Sequence, residues 1–124
     1  MLKSYITEME EFCEGIEDEK LSFKEALDNL QQATQWLLNQ DMTQANEVAA
    51  VCVPYLKLFG FTAAGYMLAR SAQMAQDQVG QGHDAFITEK INTAHFYMTH
   101  ILPQAIAQAK SVMSGAEFVI KAKF

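Results

Sequence analysis

Proline is nearly missing from these 124 residues, where only Pro54 and Pro103 occur. Glycine is sparse at six, and no Asn-Gly or Asp-Gly pair separates two hydrophobic runs. Collagen-like and low-complexity chains are excluded, and the strongest short-range hairpin signal is absent. There are two cysteines, Cys13 and Cys52, without a Cys-x-x-Cys pair or histidines at ligand spacing. That argues against a disulfide framework or a zinc site, and reads as two reduced thiols packed as small apolar groups. Basic charge is short: nine Lys and Arg against 15 Asp and Glu, for a net charge of −6. An acidic chain without a basic patch argues against nucleic acid and anionic membrane as partners. No run of 18 apolar residues exists, and the start, Met1 to Glu8, lacks an apolar signal core. The expectation is a cytoplasmic protein with neither signal peptide nor membrane-spanning helix.

What is there is apolar and helical. Half of the residues are hydrophobic, and Ala, Gln, Leu, Met and Glu dominate. No long stretch alternates with period two. The length suits one domain spanning 1–124. The expected fold is all-α: an up-and-down four-helix bundle with two short helices and two long, Pro-kinked ones.

The first helix, over 2–16, puts Leu2, Tyr5, Ile6, Met9, Phe12, Cys13 and Ile16 on one face, with Glu8, Glu11 and Glu14 opposite. Glu17-Asp18-Glu19 is its following loop. The seven acids from Glu8 to Glu19 point in several directions without a calcium-loop pattern, so they read as a solvated face. Ser22-Phe-Lys-Glu25 has the form of a capping box opening helix two, which runs to about Asn39 with Phe23, Leu27, Leu30, Thr34 and Leu37 inward and Trp36 off that line. Asp41 or Thr43 is the expected cap of helix three, over about 43–78, with a kink at Pro54. On it a heptad row, Ala45, Ala49, Cys52, Leu56, Phe59, Ala63, Tyr66 and Arg70, reads as the main packing seam. A second row, Val48, Val51, Tyr55, Leu58, Thr62 and Ala69, runs beside it. Gly60, Ala63, Ala64 and Gly65 favour a close neighbouring backbone. Gly80-Gln-Gly82-His83 lacks the Gly-Lys-Ser/Thr of a phosphate loop and reads as a turn. Asp84 is expected to cap helix four, whose inward row is Ile87, Ile91, Ala94, Met98, Ile101, Ala105 and Val112, interrupted by Pro103. Residues 116–124 read as a frayed or docking tail. The long helices outreach the short ones, so Phe61, Tyr66, Met67, Met74, Phe86 and Ile91 are expected to be partly exposed at the closed end of the long hairpin.

Catalytic groupings are hard to find. A di-iron bundle needs Glu-x-x-His, which does not occur. His95 and His100 are five apart and diverge on a helix, so they do not share a metal as i,i+4 histidines do. None of His83, His95 and His100 has the Lys three residues on that a phosphotransfer histidine takes. No Ser or Cys is grouped with a base and an orienting acid. Met67, Met74, Met98 and Met113 read as core filler. Tyr55, Tyr66 and Tyr97 read as core residues with an edge hydroxyl. Arg70 is the one charge on the seam. It is either a snorkelling or ion-paired residue or a contact to another domain or an anion such as a CoA phosphate, with Lys90 as its possible neighbour. The expected site list is empty: no catalytic, cofactor-binding or metal-binding residue.

Two stretches carry a resemblance. Tyr55-Leu-Lys-Leu-Phe-Gly60 followed by Ala63-Ala-Gly-Tyr-Met-Leu-Ala-Arg70 is the first, and Phe86-Ile-Thr-Glu-Lys90-Ile-Asn-Thr-Ala94-His-Phe-Tyr97 with Leu102-Pro103 is the second. Together they resemble the extra C-terminal helical domain of a bacterial acyl-CoA dehydrogenase subfamily (acetyl-CoA dehydrogenase C-terminal-like), over most of 20–115. The chain departs from it at His95, where the family commonly has a basic residue, and at Tyr66, where it often has Trp. The resemblance implies a parent flavoenzyme that removes two hydrogens across the α,β carbons of an acyl-CoA. Its FAD and its glutamate base lie in preceding domains, and neither Glu89 nor Glu117 is that base. Implied partners are those catalytic domains or another subunit, with acyl-CoA as the parent's substrate. The alternatives are a free-standing helical interaction or oligomerisation module and an independent metal or cofactor bundle.

Overall fold

Apolar residues at steps of three and four dictate helices, and the computed structural model has no strand among its described residues, 2–40 and 45–115, whose side chains it gives except at 45–48. The fold is all-α. Helix α1 spans Leu2–Glu14, a 3-10 turn Glu19–Leu21, α2 Lys24–Leu38, α3 Ala45–Gln76, α4 Asp84–Phe96, a π segment Tyr97–Ile101, and α5 Gln104–Met113. Helix α3 is the common wall, packing against α1, α2, α4 and α5, while α5 also packs on α2. The expectations for Asp41, Thr43, Ala45, Val48 and 116–124 lie outside the described residues or side chains.

The core is part leucine and part alanine. Met9, Leu21, Phe23, Leu27, Leu30 and Leu58 are all but sealed, and burial of each contributes about 1.5–3 kcal/mol. Ala33, Ala69, Ala72, Ala94, Ala105 and Ala109 have no exposed area, so the helices meet over small side chains. Where α1 crosses α3, Tyr5, Phe12, Phe23, Phe59 and Tyr66 form one aromatic cluster, with ring centroids 5.4–6.3 Å apart. Edge-on and offset pairs of this kind contribute about 0.5–1.5 kcal/mol beyond their area.

Helix α1 buries Ile6 and Met9 as expected, and α2 buries Phe23, Leu27, Leu30 and Thr34. The opening of α2 differs. Ser22 belongs to the 3-10 turn, donating its N–H to the Glu19 carbonyl at 3.1 Å. Phe23, held in the core, is the N-cap, and the Ser22 hydroxyl accepts from Lys24 N rather than from the amide of Glu25. The capping box does not form because its serine is already used.

On α3 the expected ranking of the two rows holds only in part: Tyr66 of the heptad seam is buried, and Phe59 and Ala63 are half-buried. Ala49, Cys52 and Leu56 of the heptad seam face solvent, whereas Val51, Leu58, Thr62 and Ala69 of the side row are buried. Both rows are apolar, so spacing alone did not say which one the neighbours cover. Helix α3 runs unbroken through Pro54. Its stretch Ala49–Gln76 reaches a mean hydropathy of 1.3, enough by length and composition to cross a membrane, and 28% of that stretch is buried. The strict test for an uninterrupted apolar run missed this because Lys57 and Arg70 break the run without outweighing it.

The chain reverses through Gly80 and Gly82, at φ +92° and +93°, which L side chains rarely adopt. His83 is the N-cap of α4. Asp84 is the first helical residue, and its carboxylate accepts from the Gly80 N–H at 2.9 Å instead of capping. The expected fourth rod is three pieces. Pro103 has no N–H to give to the Thr99 carbonyl, and ahead of it the turn widens: Leu102 N donates to the Tyr97 carbonyl, five residues back, at 2.8 Å. The extra residue in this turn moves one inward position. Leu102 is buried where Ile101 was expected, Ala105 and Val112 are buried as expected, and Ala109 joins them.

Exposure near the hairpin tip also has a different cause from the one expected. The α1–α2 connection reaches as far as Gln76, so Tyr66 lies under cover at 3% exposure. Phe61 and Ile91 are half-buried. Met67 and Met74 are 53% and 58% exposed because they lie on the side of α3 away from its buried row, not because they lie beyond the other helices. Phe86 and Val79 are exposed at the tip itself.

Candidate functional site

Three places hold side chains arranged for more than packing. The first is a polar joint. Asp18 caps the 3-10 turn, its Oδ1 accepting from Lys20 N at 3.0 Å. Its Oδ2 accepts from Gln76 Nε2 of α3 at 3.3 Å and meets His95 Nε2 of α4 at 2.9 Å. The His95 contact, chiefly, holds the Asp18 carboxyl below its usual range. An acid that orients an imidazole supplies two of the three members of a catalytic triad. Among the described residues no hydroxyl or thiol is bonded to the ring, so the pair has no nucleophile to activate. It ties the α1–α2 connection to α3 and α4. Sequence reasoning missed it by reading Asp18 as part of a solvated acidic run, with its partner 77 residues away.

The second is a groove of about 440 Å³ between the end of α3 and the start of α4. Met74, Ala75, Phe86 and Ile87 give it apolar walls, and Ser71, Gln78, His83 and Lys90 are its polar groups. The Lys90 ammonium stands 5.5 Å from the centre of the Phe86 ring. Arg70 lies at 3.5 Å from the Tyr66 hydroxyl, a long contact one turn back. Each cation is thus engaged on its own helix. Burial pushes the Tyr66 and Tyr97 hydroxyls above the ordinary tyrosine range, and Tyr97 donates to the Phe61 carbonyl at 2.6 Å. Tyr55 shares a 2.7 Å hydrogen bond with Thr34.

The third is a surface. Ala49, Val53, Leu56, Gly60, Ala64, Met67, Ser71 and Met74 lie within about 40° of a single line along α3, at 100° per residue. None is charged, and all but half-buried Ser71 are exposed. This line runs on the side of α3 opposite Val51, Leu58, Thr62, Ala69 and Ala72, which face the core. Helix α3 is therefore apolar on two opposite sides with one covered. A Cβ on Gly65 would meet Leu102 at 3.3 Å and Tyr97 at 3.5 Å, so that glycine serves the close approach to the π segment. A Cβ on Gly60 would meet nothing within 4 Å.

Among the described residues no three His, Cys, Asp or Glu are grouped to hold a metal. His100 stands beside the Phe96 ring, 4.9 Å between centroids, apart from the His95 joint. Cys13 and Cys52 are both unpaired, and burial pushes the Cys13 thiol up.

No curated protein and no solved structure matches the chain. A family described as "Acetyl-CoA dehydrogenase C-terminal like" matches residues 5–123, which brings the first helix inside the likeness along with the rest. Over nearly its whole length, then, the chain belongs to the acetyl-CoA dehydrogenase C-terminal-like family.

Proposed function

We propose that this chain is the non-catalytic C-terminal helical domain of an FAD-dependent acyl-CoA dehydrogenase, seated on the catalytic domains or at a subunit interface of that enzyme. The family match over 5–123 is the observation that carries the reading. The parent reaction would remove the α proton with a carboxylate and pass the β hydride to FAD, and both groups belong in this reading to other domains. The residues here do not fit a flavin dinucleotide. The tip groove offers a single lysine and a histidine for two phosphates, and the N–H of Gly80 in the turn above it is already taken by Asp84. The five α-helical pieces among the described residues read as four rods, with α4, the π segment and α5 forming one, and with bends at Pro54 and Pro103. The two unpaired cysteines support a cytoplasmic setting.

The encoding reading frame tests the proposal: an in-frame flavin domain upstream is the expected result, and a stop codon with a ribosome-binding site would refute it. Purified alone and given acyl-CoA and an electron acceptor, the 124-residue chain is expected to give no turnover. Measurable dehydrogenation by it would overturn the non-catalytic assignment.

A further inference from the structure

Taking the reading above as its basis, we infer that the outer line of α3, from Val53 through Leu56, Gly60 and Ala64 to Met67 and Met74, is the seat on which this domain docks against the catalytic part of its own polypeptide. Val53, Leu56, Met67 and Met74 are each more than half exposed, and no charge interrupts the line. Gly60 and Ala64 leave a dent between two pairs of large side chains. Gly60 has open space where a Cβ would go, so its small size does nothing for the packing of this chain. The line does not stop at the helix surface: Ser71 and Met74 carry it into the tip groove, where Lys90 stands.

Area selects the occupant. About 25 residues of helix are roughly 38 Å long and about 10 Å across, so each side gives about 380 Å² and the pair about 760 Å². Two separate chains hold together stably on about 1,200–2,000 Å². Domains of one polypeptide meet on about 600–1,500 Å², because the linker keeps them at high local concentration. A second copy of this chain falls short, and a tethered neighbour does not. The charge-free line asks for an apolar ridge on that neighbour. Lys90 at the groove asks for a carboxylate at the ridge's end.

Methionine oxidation tests the seat. Dilute peroxide is applied to the 124-residue chain and to the full polypeptide with its flavin bound, and each methionine is quantified by mass spectrometry. Met9, without exposed area, and Met98, at 9%, are the internal controls. Met67 and Met74 are expected to oxidise about tenfold more slowly in the full polypeptide than in the isolated chain. Gly60→Leu, which fills the dent, is expected to restore fast oxidation in the full polypeptide and to leave the circular dichroism and melting temperature of the isolated chain no worse. Equal oxidation in both proteins, with flavin bound, would overturn the seat and leave the family role standing. A dimeric mass for the isolated chain with Met67 and Met74 protected would assign the line to a second copy. Cosedimentation of the isolated chain with phosphatidylcholine vesicles would assign it to a lipid surface; either result overturns the inference. An upstream frame without a flavin domain removes the reading itself.

Discussion

Asp18 shows how much one side chain can join. It caps a turn through one oxygen and fastens α3 and α4 through the other. Because His95 hydrogen-bonds its charged form, its folded pKa lies below the ordinary 3.8. The sign follows from linkage: a depressed carboxyl stabilises the fold fully above its unfolded pKa, and that contribution fades as pH falls through the lower, folded value. Asp18→Asn should therefore destabilise at neutral pH. The gap from the parent chain should narrow below pH 3.8, and urea titrations down the acid range will show whether it does. Asn keeps the size and one acceptor, so a gap independent of pH would mean that packing, not charge, is what Asp18 supplies. A second residue-scale contrast concerns the thiols. Cys52 is exposed, whereas burial holds Cys13 protonated and half covered. Iodoacetamide should label Cys52 well before Cys13, read by peptide mass.

At the scale of the element, α3 separates what spacing can tell from what it cannot. Leu56 and Leu58 are two residues apart; the heptad row named the first as the seam, and the second is sealed. Leu58→Ala should cost about 2–5 kcal/mol, as buried leucines do. Leu56→Ala should stay within about 0.5 kcal/mol in the isolated chain, as exposed positions do. Chemical denaturation of the two variants decides between the rows, and a large loss at Leu56 would reverse our assignment of the faces. The helices themselves were legible: apolar steps of three and four placed α1, α2 and α3, and the start of α4, within a few residues of where they lie. The inward residues of α1 and α2 were also legible, because each has one apolar side. On α3 the signal was degenerate, since two apolar sides give two equally good seams. The widened turn before Pro103 was half legible. Proline announced a break, but only the path of the backbone shows Leu102 taking the place expected for Ile101. The polar joint was not legible, because a bond between residues 77 apart leaves no local pattern.

For the whole molecule, the uneven spread of charge meets the uncovered apolar line. Eight of the 15 acids fall in residues 1–25, while the outer line of α3 has none. Acidic charge then keeps the chain apart in dilute salt, and screening it exposes the attraction between apolar faces. The double variant Val53→Gln with Leu56→Gln should need more ammonium sulfate to precipitate than the parent chain, measured by light scattering. An unchanged precipitation point would mean the face is too broken to matter for solubility.

The wide turn between Tyr97 and Leu102 sets an angle. Deleting one residue there restores ordinary helical spacing and swivels everything after it by about 100°. Ala105, Ala109 and Val112 would then swing off α2 and α3, while α1 through α4 keep their places. The last three turns are thus mounted on a dial whose setting is one residue wide, and loss of the exposed Thr99 or His100 would unseat α5 without removing a core side chain.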